Sequence, residues 1–347
     1  MGKRERFFIN IFRLTAISLF LLSCQPTDSP KQLTPAFYHW KSSYNPTASE
    51  LELLQKMPVK KVYLHLFDVD WDPKTHQAIP KAVIRFQQKP EGNIVPVLFI
   101  TNRTLLNLTS EGLSELATHI SETVLRIGQQ QDITFREVQF DCDWSTRTRD
   151  RYFRLLNLLS TQLRCPLSVT IRLHQIKYTD QTGIPPVSRG MLMLYNVADW
   201  KRADTRNSIY DADVANQYLS FVKTYPLPLD LVLPLFRWTV VYRNGRFLTF
   251  LTNLDREKLA NSPFLTAQPD SVRFVANRDT SAFGFSIRRG DLFRTEAVSS
   301  EVLLTEKERV LRQIKNPTLT FALYHLDSTV LAAYSRETIQ TLLRPIP

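Results

Sequence analysis

From residue 36 onwards, short apolar runs alternate with longer stretches whose apolar residues recur every three or four positions. The short runs are typical of buried strands and the longer stretches of amphipathic helices. The predicted strands cover residues 36–40, 61–67, 93–101, 136–144, 167–174, 191–196, 230–238 and 319–325. The main predicted helices cover residues 47–55, 110–127, 145–163, 214–225, 305–314 and 335–343. Thr47 or Ser49 could cap the first helix.

This alternation of strands and helices predicts an α/β fold with a parallel sheet. Eight strand–helix units fit a (β/α)8 TIM barrel over residues 36–347. A doubly wound open sheet is the alternative, but it often carries a glycine-rich phosphate loop in its first turn. The chain has 9 glycines and no Gly-x-Gly-x-x-Gly. That absence disfavours a dinucleotide enzyme, and we expect no cofactor.

The interval between the seventh and eighth strands is β-rich, at about residues 240–304. Asn244-Gly245 lies between two β-rich runs, and this dipeptide is a strong hairpin signal. Residues 272–275 and 283–287 are further strand candidates. We predict a β-rich insertion that walls the open end of the barrel.

The fourth predicted strand alternates strictly, so its two faces differ in chemistry. One face carries Val138, Phe140 and Cys142, and the other carries Gln139, Asp141 and Asp143. Two carboxylates aimed at one spot from the end of an interior strand indicate chemistry or ligand binding. A structural ion pair in a polar barrel interior is the alternative interpretation.

Residues 1–23 have the organisation of an export signal. Lys3, Arg4 and Arg6 precede an apolar run that is too short to span a bilayer. The run ends Leu21-Leu22-Ser23-Cys24, which resembles a bacterial lipoprotein signal. The resemblance implies cleavage before Cys24, lipidation of that cysteine, a tether over residues 24–35 and a place in the bacterial cell envelope. Gln25 favours the outer membrane, and an ordinary signal peptide is the alternative.

The formal charge of +11 falls to +8 when residues 1–23 are removed, because Lys3, Arg4, Arg6 and Arg13 outnumber Glu5. The remaining charge is not concentrated in one run, and no nucleic-acid motif accompanies it. It therefore predicts solvation rather than a nucleic-acid partner. Cys142 and Cys165 could form a disulfide or serve as two buried apolar side chains; their spacing does not resemble a metal site.

In barrels of this type the active site lies at the carboxyl ends of the strands. The candidate catalytic residues there are Asp143, Asp141, Asp70 and His174. The candidate substrate-binding residues are Trp40, Trp71, Trp144, Arg172, Tyr195, Asn196, Trp238 and His325. Aromatic faces with carboxylates between them predict a site for a polysaccharide or oligosaccharide, although rim packing could also explain any single tryptophan.

Asp141 and Arg172 occupy inward positions on neighbouring predicted strands, so a bidentate ion pair between them is expected. Asp143, nearer the mouth, would then be the proton donor. Hydrolysis of a glycoside needs a second carboxylate, for which Asp70, Asp68 and Asp327 are candidates in that order. His174 or His325 could instead transfer the proton.

The segment Phe140-Asp141-Cys142-Asp143 resembles part of the Asp-x-x-Asp-x-Asp-x-Glu strand of family-18 chitinase-like barrels. Val138 stands at the first Asp position, and Ser145 stands at the position of the catalytic Glu. The chain more closely resembles an uncharacterised bacterial family of glycoside-hydrolase-like TIM-barrel proteins. The fifth strand, residues 170–174, and the sixth, residues 190–196, share that resemblance. It implies the barrel but no particular substrate.

Three function classes follow from these observations. The first is an envelope lipoprotein that hydrolyses a polysaccharide. The second is a non-catalytic glycan-binding or scaffolding lipoprotein on the same fold, which the Ser145 position favours. The third is a metal-dependent deacetylase or phosphodiesterase that uses His65, Asp68 and Asp70.

Overall fold

The computed structural model describes residues 31–252 and 254–345. The predicted signal peptide, the lipidation site at Cys24 and most of the predicted tether lie outside the described residues. Among the described helices, none combines the length and the apolar character needed to cross a membrane.

Eight parallel strands form a closed ring, in which each strand pairs with the next and the last pairs with the first. They are β1 (Gln32–His39), β2 (Lys61–Asp72), β3 (Ile94–Ile100), β4 (Val138–Asp141), β5 (Leu167–Arg172), β6 (Arg189–Met193), β7 (Leu229–Pro234) and β8 (Thr318–Tyr324). The predicted TIM barrel is therefore confirmed, and the open-sheet alternative is wrong.

Two strand boundaries differ from the predictions in ways that matter for the site. Strand β1 begins at Gln32, whose amide donates to the Pro317 carbonyl, so residues 32–35 belong to the ring rather than to a tether. Strand β4 ends at Asp141, three residues earlier than predicted. The chain therefore leaves the ring before Trp144.

The helices lie between the ring strands and in the loops at its carboxyl end. They are α1 (Ala48–Lys56), α2 (Asn102–Asn107), α3 (Ser110–Gln131), α4 (Arg149–Leu163), α5 (Leu173–Lys177), α6 (Thr179–Thr182), α7 (Ala212–Leu219), α8 (Arg256–Ala260), α9 (Ser300–Leu311), α10 (Ser328–Leu331) and α11 (Arg336–Leu343). A 3-10 turn spans Val222–Thr224. Thr47, not Ser49, caps α1: its hydroxyl accepts from the Glu50 amide, and the Glu50 carboxylate accepts from the Thr47 amide at 2.8 Å.

The ring separates an apolar shell from a polar interior. The outward side chains of β4, Val138 and Phe140, belong to the core beneath the helices, where Tyr152 of α4 donates to the Phe140 carbonyl. The inward Gln139 accepts a hydrogen bond from Tyr38 of β1 at 2.5 Å. The predicted inward face of the fourth strand is therefore confirmed. Cys142 and Cys165 are both free, and Cys142 is buried.

The β-rich insertion between β7 and β8 is also confirmed. An antiparallel sheet contains Trp238–Arg243, Arg246–Thr252, Leu265–Ala267, Arg273–Ala276 and Leu292–Glu296. Asn244 and Gly245 form the hairpin turn with φ of 52° and 72°, as a type I′ turn requires. Two short strands, Thr280–Ala282 and Phe285–Ile287, form a further hairpin, Ser43–Tyr44 pairs with Arg85–Phe86, and Gln77–Lys81 pairs with the end of β2.

Candidate functional site

A cavity of about 650 Å³ opens at the carboxyl ends of the ring strands. Every ring strand contributes a residue near or just beyond its carboxyl end: Trp40, Asp68, Phe99, Asp141, Arg172, Tyr195, Phe236 and Tyr324 in chain order. The closed ring thus brings together side chains that are far apart in the sequence.

Asp141 lies at the floor of this cavity and is only 5% exposed. Its Oδ1 accepts a hydrogen bond from the Thr170 hydroxyl at 2.5 Å. Burial raises the pKa of Asp141 to about 6, with a smaller increase from the charge of Asp143, while the charge of Arg172 opposes the shift. Asp141 is therefore a carboxyl group that can hold a proton close to neutral pH.

Asp143 and Arg172 form the ion pair at the mouth. Arg172 Nε donates to Asp143 Oδ1 at 2.6 Å, and the guanidinium lies 5.7 Å from the ring centre of Tyr195. Burial lowers the pKa of Arg172, but the charges of Asp143 and Asp141 outweigh burial, and the net shift is upward. The guanidinium remains a fixed positive charge in the cavity.

The expected ion pair between Asp141 and Arg172 is wrong, and the register of the strands explains why. Gln139 of β4 stands opposite Ser168 of β5. Two residues further along, Asp141 reaches Thr170, and two further again, Asp143 reaches Arg172. The expected proton donor, Asp143, is therefore the partner of the guanidinium, and Asp141 is the carboxyl group with the raised pKa.

Aromatic side chains form a continuous wall on one side of the cavity, from Trp40 through Tyr324, Tyr195 and Phe236 to Trp238. Neighbouring ring centres along this series are 5.1 to 5.9 Å apart. We call these five residues the aromatic wall. Such amphipathic or apolar faces, opposite a polar floor, provide stacking surface together with hydrogen-bonding groups.

The structure brings most of the predicted residues together around this one cavity. They are Trp40, Asp141, Asp143, Arg172, Tyr195, Asn196, Trp238 and His325. Sequence reasoning missed Lys41 and Phe236, which also line the cavity. Each lies within two residues of a predicted tryptophan, so a wider window around those strand ends would have included both.

Trp144 does not line the cavity. The prediction that it contacts a substrate is wrong, because its side chain is buried. The side chain is 0% exposed, its Nε1 donates to the Thr182 carbonyl at 2.8 Å, and its ring stacks on Tyr152. Because β4 ends at Asp141, the chain has already turned away from the mouth at this residue.

Asp70 and Trp71 also lie outside the cavity, on the part of β2 that extends beyond the ring. Asp70 accepts from Arg103 at 2.5 Å and from Lys81 at 2.7 Å, and the hydrogen bond from Arg103 is the largest cause of its lowered pKa. Trp71 packs edge-on against His76. Asp70 therefore serves as an ion-pair partner here, not as a second carboxylate in the cavity.

The other two candidates for a second carboxylate do line the cavity. Asp68 Oδ1 is 2.8 Å from His65 Nε2, and Asp327 Oδ2 is 2.7 Å from Lys41 Nζ. Within residues 31–252 and 254–345, no three metal-ligating side chains are grouped closely enough to hold a metal ion. The trio of His65, Asp68 and Asp70 proposed from the sequence is therefore not assembled as a metal site.

His174 lies on α5 rather than on β5, because the strand ends at Arg172. It lines a second depression of about 340 Å³, which Trp200 also lines and which shares Asp143, Arg172 and Tyr195 with the main cavity. Burial lowers the pKa of His174, and the charge of Asp143 partly opposes this. His325, on the main cavity, likewise has a pKa lowered by burial.

No protein-family model matches the sequence, and no curated protein matches it. The fold is similar to that of solved barrel enzymes. The C-terminal domain of a putative chitinase from Desulfitobacterium hafniense has a TM-score of 0.58 at 11% identity, covering 91% of this chain and 100% of that one. A chitinase from Chromobacterium violaceum has 0.53 at 11%, covering 90% and 99%. The spore cortex-lytic enzyme SleL of Bacillus cereus has 0.52 at 13%, covering 88% and 75%. At these identities the likeness concerns the fold alone.

Proposed function

We propose that this protein binds a glycan chain in the cavity at the carboxyl end of its barrel. The observation that carries the proposal is the aromatic wall facing the polar floor of Asp141, Asp143 and Arg172 across a cavity of about 650 Å³. Aromatic faces stack on the apolar faces of sugar rings, and the charged groups can hydrogen-bond sugar hydroxyls. The fold neighbours named as chitinases and as a cortex-lytic enzyme support a polysaccharide as the class of ligand.

Binding without hydrolysis is favoured because the described lining of the cavity lacks a glutamate and because two of its aspartates are paired with cations. Ser145 stands where the resembled chitinase motif has its glutamate, and no glutamate lines the cavity in the described part of the chain. Asp143 is occupied by Arg172, as Asp327 is by Lys41. Hydrolysis of a glycoside ordinarily needs one carboxyl group free to donate a proton and another to act as base or nucleophile.

Hydrolysis is the second candidate function, and it rests on Asp141. A carboxyl group with a pKa of about 6 is protonated in a substantial fraction of molecules in mildly acidic solution and could act as general acid. Asp68, which lines the same cavity, would be the second carboxylate.

A glycan-array screen followed by turnover assays on every bound glycan tests both functions. Binding without turnover supports the first, and turnover that Asp141→Asn abolishes supports the second. We expect Trp40→Ala to weaken binding at least tenfold, which corresponds to about 1.4 kcal/mol of lost stacking. Trp71→Ala is the matched control, because Trp71 lies outside the cavity. Equal effects of the two substitutions would contradict the assignment of the cavity as the binding site.

We further propose that the protein is exported and lipid-anchored through Cys24 in the bacterial cell envelope, with the outer membrane favoured by Gln25. The support is the Leu21-Leu22-Ser23-Cys24 sequence after a short apolar run. Metabolic labelling with a fatty acid is expected to mark the protein, and Cys24→Ala is expected to abolish the label. Labelling that persists in this variant would refute lipidation at Cys24.

A further inference from the structure

Basic side chains collect at the end of the barrel opposite the cavity, where the ring strands begin. The segments that lead into the strands, together with Lys31, carry more basic than acidic residues. The basic residues are Lys31, Lys60, Lys89, Arg136, Arg164, Lys223, Arg312 and Lys315, and the acidic ones are Glu91, Asp132 and Glu137. We call this end of the barrel the basic face.

Neighbouring members of the basic face are close in space. Lys60 and Lys89 line one surface depression, and Lys89 and Arg136 line another. Lys31 Nζ donates to the Ile314 carbonyl at 2.6 Å, which places it beside Lys315. The charges are therefore parts of one surface, although they come from different loops.

Most of this charge is not neutralised within the protein. Lys89 pairs with Asp132 at 2.9 Å, Glu137 with Lys61, and Arg312 with Glu308. In the part of the chain that the structure describes, no ion pair involves the exposed side chains Lys60, Arg136, Arg164, Lys223 and Lys315.

At the other end of the barrel, the cations that line the cavity are paired, whereas the exposed arginines Arg246 and Arg289 of the insertion form no ion pair with the described residues. Arg172 binds Asp143 and Lys41 binds Asp327 at the cavity, and Arg206 binds Asp211 in the loop after β6. The cavity lining therefore presents no unpaired lysine or arginine among the described residues, whereas the basic face presents several. A concentrated, unpaired positive surface attracts an anionic partner.

The chain enters the ring at Gln32, and the amino ends of the strands form the basic face. The residues from Cys24 to Gln32 reach at most about 28 Å when fully extended. A lipid on Cys24 would therefore hold the basic face close to a bilayer. The tether does not hold the cavity near the bilayer, because the cavity opens at the opposite end of the barrel.

We propose that the basic face lies against the anionic phosphates of a membrane leaflet and that the cavity opens away from the bilayer. The orientation rests on the proposed lipid anchor, whereas the contact itself rests on the unpaired charge. Each basic residue next to an anionic leaflet strengthens binding by roughly fivefold. A lipid chain and a basic surface together hold a protein on a membrane more firmly than either does alone.

The test uses the chain from Gln25 to Pro347, which lacks the lipid but keeps the ring, its helices and the insertion. Cosedimentation is measured with vesicles of phosphatidylglycerol and phosphatidylethanolamine and with vesicles of phosphatidylcholine alone. We expect binding to the anionic vesicles only, and weaker binding in high salt. The combined variant Lys60→Glu, Arg136→Glu, Lys223→Glu and Lys315→Glu is expected to bind at least a hundredfold more weakly.

The matched control reverses the exposed arginines Arg246, Arg278, Arg288 and Arg289 of the insertion, at the cavity end. It is expected to retain binding to the anionic vesicles. The proposal is overturned if the unmutated chain does not bind these vesicles, if both variants lose binding equally, or if soluble heparin binds as tightly as the vesicles. Glycan binding, measured on the same variants, is expected to be unchanged, so failure of this proposal is distinguishable from failure of the proposed function.

Discussion

Asp141 and Asp143 are two residues apart, yet their surroundings differ sharply. Asp141 is buried and accepts from a neutral hydroxyl, whereas the Asp143 side chain is 50% exposed and bound by a guanidinium. The difference arises because Asp141 ends the strand inside the ring and Asp143 stands where the chain leaves it. One carboxyl group can therefore carry a proton near neutral pH while its neighbour balances a fixed cation.

The raised pKa of Asp141 predicts a specific dependence of stability on pH. A carboxyl group whose pKa is about 6 in the folded state and about 3.9 in the unfolded state destabilises the fold above pH 6, because burial disfavours its charge. That penalty is relieved as the pH falls from about 6 towards 4. We expect the stability of Asp141→Asn relative to the unmutated protein to fall by about 2 kcal/mol between pH 7.5 and pH 4.5.

Chemical denaturation at the two pH values measures this difference. Subtracting the unfolding free energy of the unmutated protein from that of Asp141→Asn removes the contributions of the titratable groups that both proteins share. One of these groups is the buried His39, whose pKa burial lowers to about 4. A difference that is the same at both pH values would show that Asp141 does not titrate in this range.

The inward orientation of Asp141 and Asp143 was predictable from the sequence, but their partners were not. Alternation along one strand decides which face each side chain occupies. The register between strands decides which side chains meet, and nothing in the sequence of β4 or β5 specifies it. Trp144 shows the same limit, since only the point where β4 ends determines whether that side chain reaches the mouth.

Among the elements, those with a strong local signal were predicted best. The Asn244-Gly245 hairpin forms at the expected residues because its turn requires positive φ at both positions. The beginning of β1 was missed because Thr34 and Pro35 are not typical of a central strand, and the pairing with β8 overrides that local preference.

Helix α1 offers a direct measure of one local interaction, because the sequence left two capping residues open. Thr47→Ala is expected to lower the free energy of unfolding by about 1 kcal/mol, since the Glu50 amide loses its acceptor. Urea denaturation measures the change. Ser49→Ala is the control, and we expect it to change stability by less than about 0.5 kcal/mol. A larger effect of Ser49→Ala would contradict the assignment of Thr47 as the cap.

For the whole molecule, folding gathers charges that are scattered along the sequence. The sequence suggested only solvation because no run of residues is strongly basic. The closed ring places the loops before all its strands at one end, so single residues from separate loops form one surface. This surface cannot be predicted from the order of charges along the sequence, because it forms only when the ring of strands closes.

A buried carboxylate helps to join the insertion to the loop after β6. Glu296 accepts from Trp238 Nε1 at 2.6 Å, from Ser208 Oγ at 2.5 Å and from Arg294 Nε at 2.6 Å. Glu296→Gln leaves one of these buried donors without an acceptor. We expect it to lower the free energy of unfolding by about 3 kcal/mol and to weaken glycan binding, although Glu296 does not line the cavity.

Thermal denaturation and glycan titration of this variant measure the two effects. Glu306→Gln is the control, because Glu306 is also buried but pairs with Arg309 of α9, away from the aromatic wall. Equal losses of glycan affinity in the two variants would show that Glu296 has no particular influence on Trp238.

The three bonds of Glu296 have a kinetic consequence for any sugar that enters. The Trp238 side chain is already fixed by its hydrogen bond to Glu296 in the free protein. Binding of a sugar therefore does not require this side chain to be ordered first. Encounter rates are therefore expected to follow diffusion and orientation alone, and differences in affinity among glycans to arise from how slowly each one departs.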